Sequence, residues 1–195
     1  MMKNEIEKQI NFLMEIDKSK GILRMNWMLD QSRREDDAQH AWHACLTAMV
    51  LQKYAVRPVD IGHVVQMLLV HDIVEIDAGD TYAYDEKGYE SKPQREQAAA
   101  DRIFGLLPDG QGQALRALWE EFEAGETDDA KFANAVDRTQ PFWGNFYIQG
   151  RVWKENGIEA KQVIRRNEVT KEIIPEVWEA VYEQIRQAVQ NGWLK

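Results

Sequence analysis

Along most of the chain apolar residues recur at three- and four-residue steps, the period of an amphipathic helix. Ile6, Ile10, Leu13 and Met14 follow that step and predict a first helix. A polar run from Asp30 to Asp37 comes next, and its acidic residues suit a helix N-terminus, where they oppose the positive end of the backbone dipole. The stretch AWHACLTAMVLQKYAV is then apolar on most sides, which predicts a second helix central to a bundle. Arg57-Pro58 breaks the chain, and Asp60 is placed to cap a third helix over IGHVVQMLLVHDIVEI, ended by Gly79. Its β-branched residues would also suit a buried strand, but its length favours a helix. After the loop GDTYAYDEKGYE, helices are predicted at about 93–106, 112–124, 128–148, 159–172 and 175–190, with Pro175 fitting a first turn. No repeat or linker divides the chain. The pattern therefore predicts an all-α fold, a compact single-domain helical bundle of about seven to nine helices over residues 1–195.

Composition narrows the partners. A formal charge of −9 argues against a general nucleic-acid grip, which needs phosphate-neutralising lysines and arginines. It leaves room for a small anionic substrate, because a few local cations can reverse the field inside a cavity. Cys45 is the only cysteine, so no intrachain disulfide can form and the expected compartment is the cytoplasm. No stretch approaches the run of about 20 apolar residues that spans a membrane, and the N-terminal segment has no signal-peptide core.

Chemistry gathers in two places. Of four histidines, His40 and His43 open the second helix, and His71 is followed at once by Asp72 and, three residues later, by Glu75. Two nearly apolar helices each bring a histidine to an acidic segment, and buried polar groups of that kind need partners. Imidazole with carboxylate suits Mn, Co, Fe, Ni or Zn better than calcium. At helical spacing Glu75 lies on the face of Asp72, where it can trade protons. A His-Asp pair alone is weak, since a helix-end histidine beside a capping carboxylate gives the same dipeptide. His43 and His63 read as satisfied structural histidines and Trp27 as packing.

The blocks SRREDDAQHAWHACLTAMV, MLLVHDIVEIDAGDTYAYD and AKFANAVDRTQPFWGN occur in order and at characteristic spacing. With them the chain resembles the HD-domain superfamily of metal-dependent phosphohydrolases, especially the small bacterial branch related to the 5′-deoxynucleotidases. The resemblance implies one divalent transition metal held by His40, His71, Asp72 and Asp137, between the second, third and sixth helices, with Mg as an alternative ion. It implies Glu75 as the proton-transfer acid, working with Asp72, and Asp80 as a substrate residue. Arg24 and Arg33 are its candidates for substrate phosphate. The implied reaction is hydrolysis of a phosphomonoester, with a nucleoside monophosphate as leading substrate class and a homodimer as default assembly. The sequence departs from the pattern at Asp36 and Gln39 before the first histidine, and at Phe142-Trp143-Gly144 after Asp137.

Three other readings stay open at this point. One is an HD hydrolase of another phosphate ester or of a phosphoanhydride such as a guanosine polyphosphate. Another is a non-catalytic metal-binding signalling module, against which the presence of all four ligand positions and Glu75 counts. The last is an oxygen-using di-iron enzyme, which needs about six protein ligands.

Overall fold

A computed structural model describes residues 2–195 of the chain. The first helix, α1 (Met2–Ile16), passes through a 3₁₀ turn into a short antiparallel hairpin of β1 (Leu23–Trp27) and β2 (Arg34–Asp36). The hairpin is absent from the predicted elements, although Leu23-Arg-Met-Asn-Trp27 alternates with the period of two that a strand requires. It is braced from the side by Arg34, whose Nη1 donates to the Met25 carbonyl at 2.9 Å. Arg24 and Asn26 point from one face of β1 toward the interior, and Asn26 Nδ2 donates to the Pro141 carbonyl at 3.0 Å.

α2 (Asp37–Leu51) starts where the acidic run ends. Asp36 is its N-cap, accepting from the Gln39 N–H at 2.9 Å, while Gln39 Oε1 accepts from the Asp36 N–H at 3.3 Å. This reciprocal pair satisfies two donors that a helix start leaves free, and it accounts for the residues at 36 and 39. α3 (Ile61–Val70) begins under the predicted Asp60 cap, which accepts from Gly62 and His63 N–H. It does not run on through residue 76. His71 Nδ1 takes the Leu68 carbonyl at 2.9 Å, and from Ile73 onward backbone bonds shorten to i→i−3 before a last turn, α4 (Glu75–Ala78). Gly79, at φ 75°, closes it with a left-handed residue that only glycine adopts cheaply.

α5 (Glu86–Phe104) begins earlier than predicted, because Asp85 caps it through the Gly88 N–H and Pro93 is carried inside the helix. α6 (Asp109–Ala124) and α7 (Asp128–Tyr147) follow as read. A short unpredicted helix, α8 (Arg151–Asn156), comes next, and the single helix predicted over 159–172 is two pieces, α9 (Ala160–Asn167) and α10 (Thr170–Ile173). α11 (Pro175–Gln190) has Pro175 in its first turn. The all-α class holds, with one two-stranded hairpin added to it.

α2, α3 and α7 pack on one another through fully buried Ala44, Ala48, Val64, Leu68, Ala133 and Val136. The small side chains among these let the helix axes approach closely, and each helix delivers a polar residue to one place: the start of α2, the end of α3 and the middle of α7. A second cluster containing Phe12, Val74, Ile103 and Trp119 seats α1, α5 and α6 against the α3–α4 turn. Among the described residues no helix is long and apolar enough to cross a membrane.

Candidate metal centre

Four side chains from three separated segments meet where the start of α2 and the end of α3 lie against the middle of α7. His40, fully buried on α2, has Nε2 2.9 Å from Asp137 Oδ1 of α7 and 3.8 Å from Asp72 Oδ2. His71, at the last turn of α3, has Nε2 3.1 Å from Asp72 Oδ2 and 3.4 Å from Asp137 Oδ1. Hydrogen bonds on the far side of each ring set its orientation. His71 Nδ1 donates to the Leu68 carbonyl, and His40 Nδ1 lies 2.8 Å from Gln140 Oε1, an acceptor. Those bonds assign the ring protons to Nδ1, so both Nε2 atoms present lone pairs to the carboxylates.

Two lone-pair nitrogens and two carboxylate oxygens that converge in this way suit a shared cation between them. His71 Nε2 is buried and makes no aligned hydrogen bond. Ligand atoms about 2.0–2.2 Å from a common ion stand roughly 3–3.5 Å apart. The nitrogen-to-oxygen separations here run from 2.9 to 3.8 Å, and His40, His71 and Asp72 each bring one ligand atom within 4.8 Å of the others. The donor set therefore fits a divalent transition metal, with His40, His71, Asp72 and Asp137 as the residues that would hold it. With protons alone, burial would lower the His71 pKa, but the Asp72 and Asp137 carboxylates hold it well above the ordinary imidazole range.

Gln140 was not read from the sequence as part of the site. Its Oε1 faces His40, and its Nε2 lies 2.9 Å from His43 Nδ1. It thereby locks the ligand tautomer of His40 and gives His43 its structural role. Such outer partners are worth roughly 10–100-fold in metal affinity. Gln140→Leu is expected to weaken metal binding on that scale while helical content stays unchanged. Titration of the metal-stripped protein checks it, and unaltered affinity would show that His40 needs no orienter.

Behind the ligands lies a second group of carboxylates. Asp37, Asp72 and Glu75 each bring an oxygen within 4.8 Å of the others. Arg24, from β1, runs into this group: its Nη1 is 2.6 Å from Asp72 Oδ2, 3.6 Å from Asp37 Oδ1 and 4.0 Å from Asp80 Oδ1. Burial and the Asp72 charge push Asp37 up to about 8, and burial with the same charge raises Glu75 well above the usual carboxylate range. Burial works against ionisation of Asp72 too, but the His71 and Arg24 charges prevail and hold it low. The pKa values within the cluster are thus pushed apart, down for Asp72 beside the ligand nitrogens and up for Asp37 and Glu75 behind them. Glu75 Oε2 is buried without a partner, and the residue lines the cavity.

Of the residues singled out from the sequence, His40, His71, Asp72, Asp137, Glu75, Asp80 and Arg24 are brought together. Arg33 is not. It lies half-exposed outside the cavity, donating to Gln39 Oε1 at 3.0 Å and to the Arg34 carbonyl, because the hairpin turns its side chain toward the start of α2. The expectation that Arg33 meets substrate phosphate is corrected on that ground. The cavity wall also carries Arg138 of α7 and Arg166 of α9, neither of which the sequence reading selected. Phe142 forms part of the same wall and packs on Trp153, while Trp143 donates to Gln184 Oε1 at 3.0 Å. His63 pairs with Glu121 at 2.8 Å, and Arg151 stacks 3.6 Å over the Trp27 ring, so both are structural as read.

A family model described as HD domain matches residues 16–178. The crystal structure of a predicted metal-dependent phosphohydrolase from Magnetospirillum magnetotacticum MS-1 is similar at a TM-score of 0.94. It shares 43% identity, over 100% of this chain and 97% of that one. The 5′-deoxynucleotidase HDDC2 of Homo sapiens is 30% identical over 132 residues, 67% of this chain and 63% of that protein. The Xenopus laevis 5′-deoxynucleotidase HDDC2 is 28% identical over 132 residues, 67% of this chain and 64% of that protein. The chain thus spans somewhat less than two thirds of the length of these curated relatives.

Proposed function

The chain belongs to the HD-domain family, and from that footing we propose that it is a metal-dependent phosphohydrolase of small phosphorylated substrates. One observation carries the reading: His40, His71-Asp72 and Asp137, from three separated segments, converge beneath a cavity that His71, Asp72 and Asp137 line. The similar structure from Magnetospirillum magnetotacticum, described as a metal-dependent phosphohydrolase, supports it.

A divalent ion held by these residues would supply Lewis acidity, acidifying bound water and drawing charge from phosphoryl oxygens. The chain's own residues do the rest. Arg24 holds the Asp72 carboxylate through Oδ2 and keeps it ionised and oriented. Gln140 and the Leu68 carbonyl fix the two imidazoles. Glu75, kept protonated by burial, gives its proton to the leaving alkoxide oxygen as the ester bond breaks, and recovers one from the attacking water. Buried Phe122 and Phe142 on the wall limit bulk water at the reacting group.

Within this reading the substrate is a deoxynucleoside 5′-monophosphate. The support is the 5′-deoxynucleotidase relatives together with Asp80, a largely buried carboxylate lining the cavity 4.0 Å from Arg24. A carboxylate there accepts a hydrogen bond from a sugar hydroxyl, and a close wall excludes an added 2′-OH; discrimination of that kind is on the order of 10²-fold or more. Matched deoxy and ribo monophosphates, assayed for released phosphate with Mn, Co, Ni, Fe, Zn or Mg added back, are expected to show that preference. Asp80→Ala should lose turnover and keep metal. Equal rates on both sugars, or turnover of a guanosine polyphosphate alone, would overturn the nucleotide assignment without touching the metal centre. A homodimer in the cytoplasm completes the proposal, and light scattering of the purified chain tests the assembly.

A further inference from the structure

The cavity poses an electrostatic problem for any phosphate ester. Asp72, Glu75, Asp80 and Asp137 line it, and the ionised carboxylates among them oppose an approaching phosphate dianion. The cations on the wall differ in how far they are already committed. Arg24 is held by Asp72 at 2.6 Å, and the same Nη1 lies 3.6 Å from Asp37 and 4.0 Å from Asp80. Lys92 is paired to Glu96 at 3.3 Å. Arg166 has one long contact, Nη2 to Asp137 Oδ2 at 3.8 Å, which leaves most of its five N–H donors free. Among the described residues Arg138 has no ion pair at all, and Arg166 is close enough for its charge to be felt there.

The position of these two arginines adds a second argument. Arg138 is the residue after Asp137, so one helix sets a ligand carboxylate and a guanidinium side by side. Both arginines, with Tyr84 and Tyr89, line the cavity and also a neighbouring hollow that continues outward past Arg165. They therefore stand where the open surface meets the acidic floor. Two like charges there repel each other until an anion arrives, and guanidinium groups match phosphate oxygens in a bidentate fork.

We propose that Arg138 and Arg166 form the subsite that seats the substrate's phosphate group, receiving its non-bridging oxygens at the mouth of the metal centre. Arg24, which lines the same cavity and pairs with Asp72, keeps its expected place beside the phosphate. The inference rests on the phosphohydrolase reading and deepens it, and it replaces Arg33 as the expected phosphate contact.

Calorimetric titration of inorganic phosphate into the metal-loaded protein tests this without turnover. Arg138→Gln and Arg166→Gln should each weaken phosphate binding roughly tenfold or more, the scale of one charge-assisted contact. Lys161→Gln, on the exposed side of α9, should leave it unchanged. For a phosphomonoester substrate the same variants should raise KM more than they lower kcat. Should a variant fail to fold, tungstate soaked into crystals of the unaltered protein gives the answer. An anomalous peak between the two guanidinium groups supports the subsite, and a peak confined to Arg33 or Lys92 overturns it. Phosphate affinity equal in the folded variants and the parent protein overturns it as well. Arginine-dependent phosphate binding in a protein that cleaves no ester would count against the proposed function and leave the subsite standing. Cleavage with arginine-independent phosphate affinity would do the reverse.

Discussion

Asp72→Ala is expected to abolish metal retention and to lower phosphomonoester hydrolysis by roughly 10³-fold or more. The Asp72 carboxylate joins three parts of the site. Its Oδ2 lies 3.1 Å from His71 Nε2, 3.8 Å from His40 Nε2 and 2.6 Å from Arg24 Nη1. Removing it leaves one carboxylate, Asp137, between the two imidazoles. The fold should survive, for two reasons. Arg24 would still face Asp37 and Asp80, so no buried guanidinium is left bare. Residue 72 also sits in the turn between α3 and α4, where a side-chain deletion disturbs no helix interior. Circular dichroism, metal analysis and a phosphate-release assay on one preparation check all three statements. Stoichiometric metal with full turnover in the variant would place the site elsewhere.

Glu75→Gln separates proton transfer from metal binding. The amide keeps the shape of the carboxyl but holds no transferable proton, so turnover should fall roughly 10²–10⁴-fold while metal content stays at the parental level. The sign of the pH dependence follows from burial and the Asp72 charge, which raise the Glu75 pKa. A group of that kind is in its proton-donating form below its raised pKa and loses it as pH rises through that value. The parent enzyme should therefore lose kcat on the alkaline side, and the residual rate of the variant should lack that limb. Loss of metal in Glu75→Gln would make Glu75 a ligand and leave the leaving-group proton without a source.

Much of this was legible in the sequence, and the exceptions have physical causes. Helices whose apolar step faces the core, such as α2, α7 and α11, were readable from periodicity, and Asp60 and Pro175 marked their starts by local chemistry. β1 was hidden because its alternation is short and its polar side, Arg24 and Asn26, is the one that turns inward to the cavity. The break after Val70 could not be seen in a run of apolar residues, since it depends on the His71 ring capturing the Leu68 carbonyl. At the site, histidine and aspartate in a recurrent order made the ligand set visible. Asp37 was read as one more acid at a helix start, yet it is buried against Asp72 and Glu75. Gln140 and Arg138 sit at helical distances from Asp137 that only the packing of α7 on α2 and α9 turns into contacts. Arg166 had no local signal at all: which of two adjacent arginines on α9 faces the cavity is decided by the burial of Val163 and Asn167.

The central claim is that one divalent ion sits between His40, His71, Asp72 and Asp137. Anomalous diffraction from crystals grown with Mn²⁺, recorded on both sides of the manganese edge, tests it most directly. A single strong peak is expected about 2.0–2.3 Å from Nε2 of both histidines and from an oxygen of each aspartate. A map with no peak among these four side chains, or with its peak held by other residues, would contradict the account.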